Sequence, residues 1–243
     1  MMIDEIVVRA RTAQSRYEAM GSQALFDKAC QAVAWVLMQP ERNRALADMA
    51  VAETGLGKAD DKVRKNHNKT LGLMRDLKGV TSFGHIEDDA ASGLSTYLRP
   101  KGVVAAIVPS TNPLATPVNN IINALKTGNA IILAPSPKGV KPLQTLLGHI
   151  LPALREVGVL DNLVQMVPVP TSKPKTERLM QLADMVLVTG SQANVRAGYS
   201  SGTPAIGVGA GNVVTIVDET ADIDAAAARI AASKTFDNAT SCS

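Results

Sequence analysis

Aromatic residues are scarce in this 243-residue chain, at 3%. Too few rings remain to build a stacking platform for single-stranded nucleic acid. A surplus of one charge is lacking as well: 25 Lys and Arg face 22 Asp and Glu, a net +3. So small and scattered an excess does not describe a nucleic-acid-binding face. Cysteine is limited to Cys30 and Cys242, which excludes a disulfide framework, and no CxxC or Cys/His metal box occurs. His67, His85 and His149 lie far apart, without ligand spacing. No apolar run approaches bilayer length, and the N-terminus has no secretory hydrophobic region. A Gly-x-Ser-x-Gly elbow is missing too, so a hydrolase triad has no anchor. At 46% apolar and 19% charged residues, disorder is excluded. The expectation is a cytoplasmic protein with a sizeable core, binding neither nucleic acid nor membrane.

What is present is two rhythms. Over residues 1–100 the apolar positions recur at helical spacing. Ile3, Ile6, Val7, Ala10 and Tyr17 form one stripe, and Leu25, Phe26, Ala29, Val33, Val36 and Leu37 form a second that stops at Pro40. A third helix carries Leu46, Met49 and Ala50 and ends near Gly55. A fourth, from about Lys58, places Val63, Thr70, Leu71, Met74 and Leu77 on one side and ends at Gly79. Its charge-dense run Lys58–Lys69 reads as a solvated face. Residues 81–100 suggest a strand pair.

After Arg99-Pro100 short β-branched runs alternate with helical stretches. The predicted strands are Val103–Val108, Ala130–Leu133, Leu163–Val167, Met185–Val188, Ala205–Val208 and Val213–Val217. The predicted helices are Val118–Lys126, Leu143–Glu156, Glu177–Ala183, Ser191–Ser200 and Ile223–Phe236. Continuous apolar strands separated by helices mean βαβ units and a mostly parallel, doubly wound, Rossmann-like sheet in an α/β fold. The domains expected are a helical region at 1–100, a dinucleotide-binding domain at 101–235, and the start of a further domain at 236–243. Ligands of such sheets sit at the carboxyl ends of the strands. There the polar turns Pro109–Pro113, Pro135–Pro137 and Thr189–Ser191 fall on one rim.

Each motif has a plain alternative. Gly207-Val208-Gly209-Ala210-Gly211-Asn212 resembles a phosphate loop, but Asn212 replaces the third glycine and a predicted strand follows where a helix should open. It reads as a tight passage between strands. Ser191 follows a strand and precedes a helix, so it suits either an N-cap or a phosphate contact. Cys30 lies on an apolar helix face and should be a small buried hydrophobe. Cys242 follows Phe236-Asp237-Asn238-Ala239-Thr240-Ser241 in a polar loop, where a thiol can ionise.

In this order the segments resemble the aldehyde dehydrogenase superfamily, and more narrowly its CoA-acylating branch. The match is carried by Glu53-Thr54-Gly55-Leu56-Gly57 with Asp61-Lys62-Val63-Arg64-Lys65-Asn66, by Pro109–Pro113, by Gly207–Asn212 and by Phe236–Cys242. The resemblance implies that Cys242 is the nucleophile and Asn112 an oxyanion-hole donor; otherwise Asn112 is a turn residue before Pro113. It implies that Pro109, Ser110, Thr111, Ser136, Gly190 and Ser191 hold the cofactor, NAD or NADP. Ser136 stands where many members have histidine. The co-substrates implied are an aldehyde and CoA, with no metal, and the full-length protein is expected to be a homo-oligomer. Pro135–Gly139 and Asn238–Ser243 look most like acylating sulfoacetaldehyde dehydrogenases, which puts sulfoacetaldehyde forward as substrate. Acetaldehyde, propionaldehyde and succinic semialdehyde are the alternatives. Hydrolytic members place a general-base glutamate where Gly207 stands here. Family members continue well beyond the position of Ser243, so this chain is expected to be an N-terminal portion, inactive alone. A non-catalytic dinucleotide-binding module is the other reading.

Overall fold

The structure, a computed structural model, describes residues 2–211 and 213–240; Cys242 lies outside the described residues. Four helices come first: α1 (Met2–Met20), α2 (Gln23–Met38), α3 (Pro40–Thr54) and α4 (Ala59–Asp76). α1 buries Ile3, Ile6, Val7, Ala10 and Tyr17 along the predicted stripe. The Ser22 hydroxyl caps α2 by accepting from the Leu25 amide at 3.2 Å. Pro40 then opens α3, where its fixed φ and missing N–H cost nothing. Cys30 is buried as expected; its thiol donates to the Ile122 carbonyl at 3.3 Å, and burial pushes its pKa up to about 12.

The fourth helix departs from expectation. Leu71 is exposed, whereas Lys62, Lys65, Asn66 and Thr70 form the buried side. The run Lys58–Lys69 is therefore not simply a solvated face. Lys62 and Lys65 are 2% and 4% exposed, because they meet a carboxylate far along the chain.

An antiparallel ribbon, β1 (Gly84–Asp89) with β2 (Leu94–Leu98), follows in the ambiguous region. Then come β3 (Val103–Val108), α5 (Ala115–Lys126), β4 (Ala130–Pro135), α6 (Val140–Glu156), β5 (Val164–Met166), α7 (Lys173–Leu182), β6 (Met185–Thr189), α8 (Gln192–Tyr199), β7 (Ala205–Val208) and α9 (Ile223–Thr235). The sheet order is β5-β4-β3-β6-β7, every pair parallel. The chain steps outward from β3 to β5, returns to β6 beside β3, and steps outward again to β7. Right-handed crossovers therefore place α5 and α6 on one face and α7 and α8 on the other. α1 joins α7 on that second face, against β3, β4 and β5. It is tied there by Arg11 to Asp184 at 2.8 Å and by Gln165 Nε2 donating to the Ile6 carbonyl at 3.0 Å. α2 lies over α5 and α6. β3 and β4 are buried at every residue, which is why they read as unbroken apolar runs.

Val213–Val217 is not a strand. The segment has no regular structure, and Val214 and Ile216 are 82% and 89% exposed. β-branched composition favours a pleated surface only where a partner strand covers it. Consequently Gly207 is not in a passage between two strands; it lies within β7 itself.

Candidate active site

In a doubly wound sheet the ligand crevice opens where neighbouring strands send their connections to opposite faces. That switch point lies between β3 and β6. The turn after β3 carries Pro109, Ser110, Thr111 and Asn112, all half-buried. From one side Ser136 joins it, its amide donating to the Val108 carbonyl at 3.0 Å. From the other comes Gly190, whose amide donates to the Val208 carbonyl at 3.0 Å. A Cβ at Gly190 would lie 4.0 Å from Pro109 Cβ, so these two turns abut. The rim expected from the strand ends is thus assembled.

Two hydroxyls on it differ. Ser191 Oγ caps α8, accepting from the Asn194 amide at 3.3 Å. Ser136 Oγ is buried yet has no hydrogen-bond partner among the described residues. A buried hydroxyl left unpaired costs free energy, so this one suits a polar ligand group entering from the rim. Among the described residues no group of His, Cys, Asp or Glu is placed to hold a metal ion. Likewise no described helix is long and apolar enough to cross a membrane.

A cluster that the sequence pattern does not announce faces this rim. After α9 a short turn, Phe236–Ala239, leads toward Cys242 and packs on α4. Its Asp237 is fully buried. Asp237 Oδ2 accepts from Lys65 Nζ at 2.5 Å, Lys62 Nζ at 3.2 Å and Thr240 Oγ1 at 2.8 Å. Oδ1 accepts the Lys58 amide at 2.9 Å, while the Asp237 amide donates to Asp61 Oδ2 at 2.9 Å. Burial alone would raise the Asp237 pKa. The bonds from Lys65, the Lys58 amide and Thr240 outweigh it and hold the carboxyl below its ordinary value. For Lys65 burial dominates and lowers the ammonium pKa despite Asp237. Lys62 Nζ also donates to the Thr111 carbonyl at 3.3 Å, so the cluster reaches the turn that bears Asn112. Its trace in the sequence is the charge-dense stretch Asp61–Asn66, which alone reads as part of a solvated face.

Gly57 makes room for this cluster. At φ 79° it is left-handed, and a Cβ there would sit 2.0 Å from Asp237 Oδ1 and 2.8 Å from Lys62 Nζ. Gly57→Ala is expected to destabilise the fold by about 2–5 kcal/mol, adding overpacking to the backbone penalty. Gly55 is the control: it is left-handed too, at φ 68°, with nothing within 4 Å. Gly55→Ala should therefore cost only about 1–2 kcal/mol. Thermal melts of both variants check this; equal melting temperatures would refute the crowding at Gly57.

A Cβ on Gly207 would lie 2.7 Å from Val195 Cγ1 and 3.0 Å from the Tyr199 ring, and the Gly207 amide donates to Tyr199 Oη at 3.0 Å. Close packing of α8 on β7 is what this glycine serves. The space a side chain would take is filled by α8.

Comparison with known proteins decides the family. A model of the aldehyde dehydrogenase family matches residues 1–243. The chain belongs to that family. Within it, the chain is 59% identical to a sulfoacetaldehyde dehydrogenase (acylating) of Cupriavidus necator, over 98% of this chain and 48% of that one. An acetylating aldehyde dehydrogenase from Geobacillus thermoglucosidasius superposes with a TM-score of 0.92 at 35% identity, covering 99% of this chain and 53% of that one. A propionaldehyde dehydrogenase from Rhodopseudomonas palustris, solved with bound propionyl-CoA, superposes with a TM-score of 0.86 at 31% identity, over 100% of this chain and 53% of that one. The chain spans about half the length of these relatives. The sheet order and the rim at the β3–β6 switch point are accordingly those of an aldehyde dehydrogenase family member.

Proposed function

We propose that the protein carrying this chain is a CoA-acylating aldehyde dehydrogenase that converts an aldehyde, CoA and NAD(P)+ to acyl-CoA and NAD(P)H. The observation that carries the proposal is the 59% identity to an acylating sulfoacetaldehyde dehydrogenase across nearly the whole chain. It makes sulfoacetaldehyde the leading substrate. When bound, the nicotinamide nucleotide supplies the hydride acceptor. Pro109, Ser110, Thr111, Ser136, Gly190 and Ser191 would hold it, and the unpaired Ser136 hydroxyl supports that fit.

Cys242 acts as nucleophile in this reading. Its thiolate adds to the aldehyde carbon, and the carbonyl oxygen becomes an alkoxide. Asn112 donates its amide N–H to that oxygen as charge develops. Departure of hydride from the same carbon restores the C=O bond and leaves a thioester on Cys242. The CoA thiolate then adds to the thioester carbon, and the Cys242 thiolate leaves.

The test omits CoA. Protein of full family length, mixed with sulfoacetaldehyde and NAD(P)+, should release a burst of about one NAD(P)H per site and gain an acyl group on Cys242 by intact mass. Nucleotide binding with neither burst nor adduct would establish a non-catalytic module.

A further inference from the structure

Lysine ammonium groups belong in water, and two of them on α4 are removed from it. Lys62 and Lys65 both close on Asp237, giving a buried cluster with two cations and one carboxylate. Such pairs add little net stability compared with apolar side chains of similar size. What they supply is fixed geometry, and the backbone beside this one is unusual. Asp237, Asn238 and Ala239 have φ of 53°, 53° and 56°, three consecutive non-glycine residues in the left-handed region. Residues persist there only where their surroundings over-determine them. Here four hydrogen bonds to the Asp237 carboxylate, one from the Asp237 amide to Asp61 and one from Asn238 Nδ2 to the Gly57 carbonyl do so. Lys62 spans outward as well, from Asp237 to the Thr111 carbonyl. One buried ammonium thus touches the turn leading to Cys242 and the peptide group joining Thr111 to Asn112.

We infer that Asp237, Lys62 and Lys65 are positioning residues that set the Cys242 loop and the Asn112 turn in register with each other. None of them touches the reacting atoms; the clasp acts through the two loops it joins. The inference rests on the roles proposed above for Cys242 and Asn112. Displacing a reacting group by about 1 Å commonly costs a hundredfold in rate, so a loosened clasp should lower kcat and spare nucleotide binding.

The test uses Asp237→Asn, and Asp237→Asn combined with Lys65→Met. The single variant leaves two buried cations without their carboxylate and should melt at a lower temperature. The double variant restores the net charge of the cluster and should recover most of that loss. A positioning role requires kcat to stay at least tenfold down in the double variant, with the KM for nucleotide changed less than threefold. Recovery of kcat in step with melting temperature would reduce the clasp to a stabilising contact and overturn the inference. An NMR readout is independent of the reaction. In the double variant the Asn112 backbone amide, whose peptide carbonyl receives Lys62, should shift well beyond the amide of Ile132 in β4. An unmoved Asn112 resonance overturns the coupling whatever the enzyme does. A shifted resonance in a protein whose wild type forms no acyl-CoA upholds the clasp and discards the reaction assigned above.

Discussion

Asn112→Ala is expected to lower kcat by about a hundredfold or more, with nucleotide affinity nearly unchanged. Asn112 follows the turn that leaves β3 at the switch point, one residue beyond the carbonyl held by Lys62. Its amide can meet a developing negative charge, and an oxyanion donor acts chiefly on the transition state. Removing one such donor costs about 3–4 kcal/mol. Steady-state kinetics with a nucleotide titration separates the roles. A loss of nucleotide affinity with kcat intact would make Asn112 a turn residue that shapes the cofactor rim.

Omitting CoA should lower steady-state NAD(P)H production by about 10²–10⁴-fold, leaving only the initial burst. Hydrolytic members activate water with a glutamate where this chain has Gly207, and a positioned base contributes about that factor. The packing strengthens the expectation. A glutamate at 207 would have to displace Val195 and Tyr199 before its carboxylate went anywhere. A thiol needs less assistance, since part of it is thiolate near neutral pH and is intrinsically nucleophilic. The products should be acyl-CoA and NAD(P)H, formed reversibly because the thioester is conserved. Equal rates without CoA, with free acid released, would show that a base outside residues 1–243 activates water.

Local periodicity made most of the fold legible. β3 and β4 announced themselves as apolar runs because both their faces are covered. α5, α6 and α7 begin a few residues earlier than predicted, since Pro117, Pro142 and Pro174 sit in first turns, where proline is tolerated. Val213–Val217 misled because its composition is that of a strand while no neighbour covers it. The rim itself was legible from the turns at strand ends, whereas the cofactor-holding role of its residues and the roles of Cys242 and Asn112 came only from family resemblance. The clasp was invisible for a definite reason. Hydropathy scores Lys62 and Lys65 as outward, and the residue that reverses this, Asp237, lies 175 and 172 positions away. No window along the chain contains both.

The placement of α1 has a consequence for the order in which the molecule can form. The helix packs on β3, β4, β5 and α7, so the surface it needs is built from residues 103–182. A ribosome releases α1 well before those elements. Until they have emerged, Ile3, Ile6 and Val7 lack that surface, and Arg11 lacks Asp184. A helix made before its docking surface must wait for that surface. Contacts so distant in sequence slow folding, and the waiting stripe is the kind of exposed apolar surface that chaperones shield during synthesis.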